Sequence, residues 1–142
     1  EYACDVIGVK LIVVLGHTRC GAIMAACDNV ERGHITQLLA KIKPAIDAET
    51  DTIEDRNSKN DEFVDHVTNY NIANTIQHIY DESHVLRTLT NNEQVGIVGA
   101  VYDVNSGDVH FKDFSQTLTT LSKQDETLLA EKLNKLIKTA NI

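Results

Sequence analysis

The chain has 142 residues, of which 42% are hydrophobic and 24% charged, and its 21 acidic against 13 basic side chains give a net charge of -8. This length and composition predict one globular domain with a core large enough to fold without disulfides. The acidic balance and the lack of a basic stripe exclude nucleic acid and anionic membranes as expected partners, and no apolar run is long enough for membrane insertion.

The cysteine usage indicates a reducing environment. Cys4, Cys20 and Cys27 are the three cysteines, too few for a disulfide framework and unable to pair completely. We therefore expect a cytoplasmic protein, with Cys4 as a small core residue.

The first part of the chain has the predicted order helix, strand, turn, helix. Apolar residues at helical intervals predict a helix over residues 1–7. The branched apolar run over residues 11–15, which ends on Gly16, predicts a strand buried on both faces. Good helix formers follow over residues 21–27. This order is typical of the parallel sheet of an α/β protein.

The middle of the chain combines predicted helices with an acidic connection. Residues 36–46 predict an amphipathic helix that Pro44 kinks or ends. Residues 47–62 hold seven acidic side chains against Arg56 and Lys59, which predicts a solvated, mobile connection. Apolar residues recur every three or four positions over residues 61–80 and predict a long helix, and a shorter one is expected over residues 83–89.

The last part of the chain predicts a hairpin and a final helix. Residues 95–102 have the pattern of a second buried strand, and the turn at residues 105–108 leads to a short strand over residues 109–112. Ser122 and Asp125 resemble a capping box at the start of a C-terminal helix. The expected fold class is therefore α/β, a mostly parallel β-sheet flanked by helices with a C-terminal hairpin strand.

His17 and Cys20 are the candidate metal ligands. They lie three residues apart where a predicted strand gives way to a helix, the edge at which open α/β sheets bind ligands. An imidazole nitrogen and a thiolate favour zinc over magnesium or calcium. The spacing also allows a capping histidine beside a buried cysteine, or Cys20 as the nucleophile of a metal-free redox or transfer enzyme, because two ligands alone do not complete a zinc site.

The other cysteines and histidines do not extend this pair by their spacing. In a helix, Cys27 would lie about 10 Å beyond Cys20, too far for one ion. The remaining histidines are expected at the surface or in hydrogen bonds; they are His34, His66, His78, His84 and His110.

Two segments of the chain match a known pair of motifs. Residues 11–22 contain Gly16-His17-Thr18-Arg19-Cys20-Gly21, and residues 98–107 contain Tyr102-Asp103 followed by Gly107. These segments resemble the G-H-[ST]-x-C-G-[AG] and G-x-x-Y-D-[LIV]-x-[ST]-G motifs of the β-class carbonic anhydrases. Residues 1–3 and 67–72 resemble helices of the same family. The chain is also similar to the carbonic-anhydrase-like domains of some bacterial anion transporters.

The resemblance implies a zinc enzyme that reversibly hydrates carbon dioxide to bicarbonate and a proton. Family members hold zinc with Cys, His and Cys, and His17 and Cys20 match the His and the second Cys. The first Cys belongs to a C-x-[DS]-x-R motif whose Asp and Arg form a dyad beside the metal, and the residues after Cys4 and Cys27 do not match it. The resemblance therefore assigns no catalytic residue here.

We expect residues 1–142 to form a single β-carbonic-anhydrase-like domain, incomplete at its N-terminus and with little or no activity by itself. The alternative function is a non-catalytic bicarbonate-sensing or regulatory module of the same fold. Because the shortened domain would leave the strand over residues 11–15 uncovered, we also expect a homodimer or a higher homo-oligomer.

Overall fold

The strands form one mixed sheet, against which helices pack. A computed structural model describes residues 1–113, and the helix predicted after Ser122 lies outside them. The bounds are α1 Tyr2–Asp5, β1 Leu11–His17, α2 Gly21–Cys27, α3 Ile35–Leu39, α4 Lys43–Ala48, α5 Asp61–Glu82, α6 His84–Asn91, β2 Gly96–Tyr102 and β3 Val109–Lys112.

The sheet has the order β1-β2-β3 in the described part of the chain. β1 and β2 are parallel, in a register that runs from Leu11 opposite Gly96 to His17 opposite Tyr102. β3 is antiparallel to β2, and the turn between them is closed by the Gly107 N–H, which donates to the Asp103 carbonyl at 2.8 Å. The predicted α/β class, with a parallel pair and a hairpin strand, is confirmed.

The two parallel strands differ in burial. The inner residues of β2 are buried, as predicted. For β1 the prediction of burial on both faces is wrong, because Leu11, Val13 and Leu15 are 37%, 41% and 53% exposed. β1 is an edge strand among the described residues, with α5 packed on its other face. An apolar run predicts a strand without saying whether it lies at the centre or the edge of the sheet.

α5 is the main support of the sheet and confirms the long helix predicted over residues 61–80. Asn60 caps it, since its Oδ1 accepts from the Phe63 N–H at 3.2 Å. Acidic residues in the first turn stabilise the helix, because they lie at the positive end of its dipole. Its buried residues join two core clusters. Within residues 1–113, no helix is both long and apolar enough to cross a membrane.

Pro44 begins a helix instead of ending one. The single helix predicted over residues 36–46 is wrong: α3 ends at Leu39, and α4 starts at Lys43 with Pro44 in its first turn. A proline fits there because the first-turn N–H groups have no intrahelical partner.

The acidic connection is anchored by a buried carboxylate, so the prediction of a solvated segment is wrong at Glu49. This side chain is 1% exposed. Its Oε1 accepts from the N–H and the hydroxyl of Thr52, each at 2.9 Å, and lies 3.4 Å from His66 Nδ1. Its Oε2 accepts from Arg56.

Arg56 extends this anchor to the helices on either side. Its guanidinium donates to the Ile46 carbonyl at 2.7 Å and to the Thr52 carbonyl at 2.8 Å. It also lies 4.6 Å from the centroid of the Phe63 ring, within the range of a cation–π contact. The connection is therefore fixed between α4 and α5.

Candidate metal centre

His17 and Cys20 flank one turn at the carboxyl edge of the parallel strands. His17 is the last residue of β1 and lies opposite Tyr102 of β2, and Cys20 is the N-cap of α2. Arg19 between them has a φ of 56°, a left-handed conformation that few side chains adopt readily. The turn thus carries both donors at the edge of the sheet where the sequence predicts them.

Gly16 allows α5 to approach β1 just before His17. A Cβ at this position would lie 2.7 Å from Ile72 Cδ1 and 3.2 Å from Thr68 Cγ2. Both neighbours are buried side chains of α5. Any larger residue would push the helix or its side chains away from β1.

The hydrogen bond of the His17 ring indicates which ring nitrogen carries the proton. Its Nδ1 lies 3.0 Å from the Thr18 carbonyl oxygen. Because a carbonyl can only accept, Nδ1 carries the proton and donates, and a neutral ring keeps the Nε2 lone pair available. A neutral imidazole oriented through its other nitrogen is the form in which histidine binds metals.

Thr18 fastens this turn to the end of β2. Its N–H donates to the Tyr102 carbonyl at 3.0 Å, and its Oγ1 accepts from the Val104 N–H at 3.1 Å. Thr18 occupies the Ser/Thr position of the motif that the sequence resembles, but the motif does not show what its side chain contacts. Its partners are distant along the chain, so no local spacing could have revealed these contacts.

Cys27 and Cys4 are core residues. Burial, assisted by the negative charge of Asp28, raises the pKa of the Cys27 thiol to about 11, so this group stays protonated at neutral pH. Metal ligation requires the thiolate. Cys4 is buried against Leu86 and Val95, which agrees with its predicted place in the core.

The side chains of His17 and Cys20 are two of the three or four ligands that a zinc site would require. An imidazole nitrogen and a thiol sulfur are donors that zinc prefers, and a complete site has three or four protein ligands. Within residues 1–113, no group of three or more His, Cys, Asp or Glu residues is arranged to hold a metal ion. Cys20 and His17 are therefore two candidate ligands without a third nearby in the described part of the chain.

Comparison with known proteins identifies the class to which this fold and turn belong. Several solved structures that this chain resembles in fold are β-class carbonic anhydrases. The sequence profile of the family described as carbonic anhydrase matches residues 1–109, and the chain therefore belongs to the carbonic anhydrase family.

The relatives are longer than this chain. Carbonic anhydrase 2 of Mycobacterium tuberculosis is 27% identical over 118 residues, which cover 80% of this chain and 54% of that protein. The chain thus spans about half the length of the curated relatives that it matches.

The structural likeness is consistent across several organisms. A Coccomyxa β-carbonic anhydrase in complex with acetazolamide has a TM-score of 0.64 at 20% identity, covering 78% of this chain and 50% of its own. The β-carbonic anhydrase CafA of Aspergillus fumigatus has a TM-score of 0.65 at 22% identity, covering 93% and 60%. One of two tetrameric enzymes from Sordaria macrospora has a TM-score of 0.63 at 23% identity, covering 78% and 56%.

Proposed function

We propose that the natural protein carrying this chain catalyses the zinc-dependent, reversible hydration of carbon dioxide to bicarbonate and a proton. The observation that carries the proposal is the His17–Cys20 turn, which presents two zinc-type donors at the carboxyl edge of the sheet in a member of the carbonic anhydrase family. The Nε2 lone pair of His17 and the Sγ of Cys20 would hold the metal.

The chain's own residues would position the reaction. When bound, zinc supplies hydroxide at neutral pH, because it lowers the pKa of its bound water to about 7. The Thr18 carbonyl accepts a hydrogen bond from His17 Nδ1, which orients the ring and leaves Nε2 free to bind the metal. Gly16 lets α5 support the strand that ends at His17.

We also infer that the 142 residues alone hold zinc weakly and hydrate carbon dioxide slowly or not at all. Two protein ligands do not close a zinc site. The family's C-x-[DS]-x-R motif, which supplies a further ligand and the Asp/Arg dyad, does not occur in these 142 residues. Stoichiometric zinc that resists a chelator in the isolated 142-residue chain would contradict this inference.

The proposed activity can be tested by measuring zinc content and stopped-flow carbon dioxide hydration in the natural protein. His17→Ala and Cys20→Ser should each lose both zinc and activity, because each removes a ligand. His34→Ala, at an exposed position, and Cys27→Ala, in the core, are matched controls that should keep both. Activity retained in either ligand variant would remove the assignment.

A bicarbonate-sensing or regulatory module of the same fold is the second candidate. It is favoured because no group of three or more His, Cys, Asp or Glu residues within residues 1–113 is arranged to hold a metal ion. A natural protein that contains no zinc, does not hydrate carbon dioxide and binds bicarbonate reversibly would establish this alternative.

A further inference from the structure

Thr18 joins the turn that carries the two metal donors to the connection between β2 and β3. We propose that Thr18 is a positioning residue, whose hydroxyl holds the His17–Cys20 turn against that connection and thereby sets how the pair meets a metal. The inference rests on the proposed zinc function of the pair. It means that the β2–β3 connection, residues 103–108, also helps to set the geometry of the candidate metal site.

The hydroxyl of Thr18 replaces a missing bond of the sheet. The parallel ladder of β1 and β2 continues one residue past β1, since the Thr18 N–H donates to the Tyr102 carbonyl. β1 then turns toward α2. The next free N–H beyond β2 is that of Val104, and it donates to the Thr18 Oγ1 at 3.1 Å.

The connection that receives Thr18 is itself fixed by internal bonds. The Asp103 N–H donates to the Asp108 carbonyl, and the Gly107 N–H donates to the Asp103 carbonyl, each at 2.8 Å. The Asp103 carboxylate accepts from the Asn105 N–H at 2.7 Å. Val104 therefore lies inside a closed turn and is a firm anchor point for the hydroxyl.

The His17–Cys20 turn needs a contact from outside to hold its conformation. Arg19 is held at a φ of 56°, a conformation that costs free energy for a residue with a Cβ. On its other side, the Thr18 carbonyl accepts from His17 Nδ1. Loss of the hydroxyl contact would let the turn relax, and it would move the carbonyl that orients the His17 ring.

Hydrogen exchange in the metal-free chain tests the contact itself. Thr18→Val removes the acceptor and keeps the shape, so exchange of the Val104 amide should become at least about tenfold faster. Thr18→Ser keeps a hydroxyl and should preserve protection. Thr88→Val is the matched control, because it deletes another exposed hydroxyl, which donates to the His84 carbonyl on α6, and it should leave Val104 unchanged.

Zinc affinity of the natural protein tests the positioning role. Thr18→Val should weaken zinc binding about 10- to 100-fold, as is usual for residues that orient a ligand, whereas Thr18→Ser and Thr88→Val should bind like wild type. Unchanged exchange at Val104 in Thr18→Val would overturn the contact, and zinc affinity within twofold of wild type would overturn its role. If the wild type takes up no zinc, the proposed function fails, while exchange at Val104 still decides whether Thr18 holds the turn.

Discussion

Glu49 is a buried carboxylate in a segment whose composition predicts solvent exposure. Burial alone raises the pKa of its carboxyl, but the bonds from Thr52, His66 and Arg56 outweigh this effect and hold the pKa below its usual value. The charged form is therefore the one that the folded state stabilises. One residue thus fixes the connection between α4 and α5.

Replacing this charge should destabilise the protein. Glu49→Gln should lower the free energy of unfolding by about 2 kcal/mol at pH 7, because the Arg56 ion pair loses its buried partner. The control, Asp47→Asn, removes an exposed pair with Lys43 and should cost less than about 0.5 kcal/mol. Urea unfolding measures both, and equal losses would contradict a special role for Glu49.

The same substitution has a predicted pH dependence. Because the pKa of Glu49 is lower in the folded than in the unfolded protein, its contribution is complete above the unfolded value, about 4.3, and is lost as the pH falls through the folded value. The stability gap between wild type and Glu49→Gln should therefore shrink in acid. A gap that widens below pH 5 would contradict this sign.

Local sequence indicates the candidate ligands but not the side chains that hold the nearby connections in place. His17 and Cys20 are recognisable because both donors lie within one short motif. Glu49 and Thr18 depend on partners brought close by the fold: Arg56 and His66 for the first, Val104 for the second. The motif indicates a hydroxyl side chain at position 18, but neither spacing nor composition indicates the partner of Thr18 or of Glu49.

At the scale of elements, the packing of α5 on β1 depends on Gly16. Gly16→Ala should lower the free energy of unfolding by about 1–3 kcal/mol, because the added methyl overlaps Ile72 and Thr68 in a filled space. Gly21→Ala is the control: its added methyl would have no neighbour within 4 Å, so its stability should stay equal or rise slightly. The midpoints of denaturant unfolding measure both effects. An unchanged midpoint in Gly16→Ala would show that α5 can shift away from β1 at no cost.

Element prediction succeeded where the sequence period was long and failed where context decides. The apolar spacing of α5 repeats over several turns, which identifies it as a helix. Pro44 is compatible with either the end or the start of a helix, and only the break after Leu39 shows that it starts α4. The exposure of Leu11, Val13 and Leu15 depends on which elements pack on that face of the sheet, which the residues of β1 do not encode.

At the scale of the whole molecule, the outward side chains of β1 should promote self-association. Leu11, Val13 and Leu15 are all partly exposed on one strand, and an apolar edge strand invites pairing with another chain. Val13→Lys should therefore lower the mean mass measured by light scattering. Val30→Lys, at a site of nearly equal exposure, 40% against 41%, should leave the mass unchanged. A monomeric wild type at micromolar concentration would refute the prediction.

The parallel pairing of β1 with β2 also constrains how the chain folds. Leu11 meets Gly96, on the order of 80 residues later, so the sheet can form only after a large loop has closed. α5 can gain its turns locally within microseconds. We therefore expect refolding to begin with helix formation and to reach the sheet last, with β1 open to misassembly in the interval.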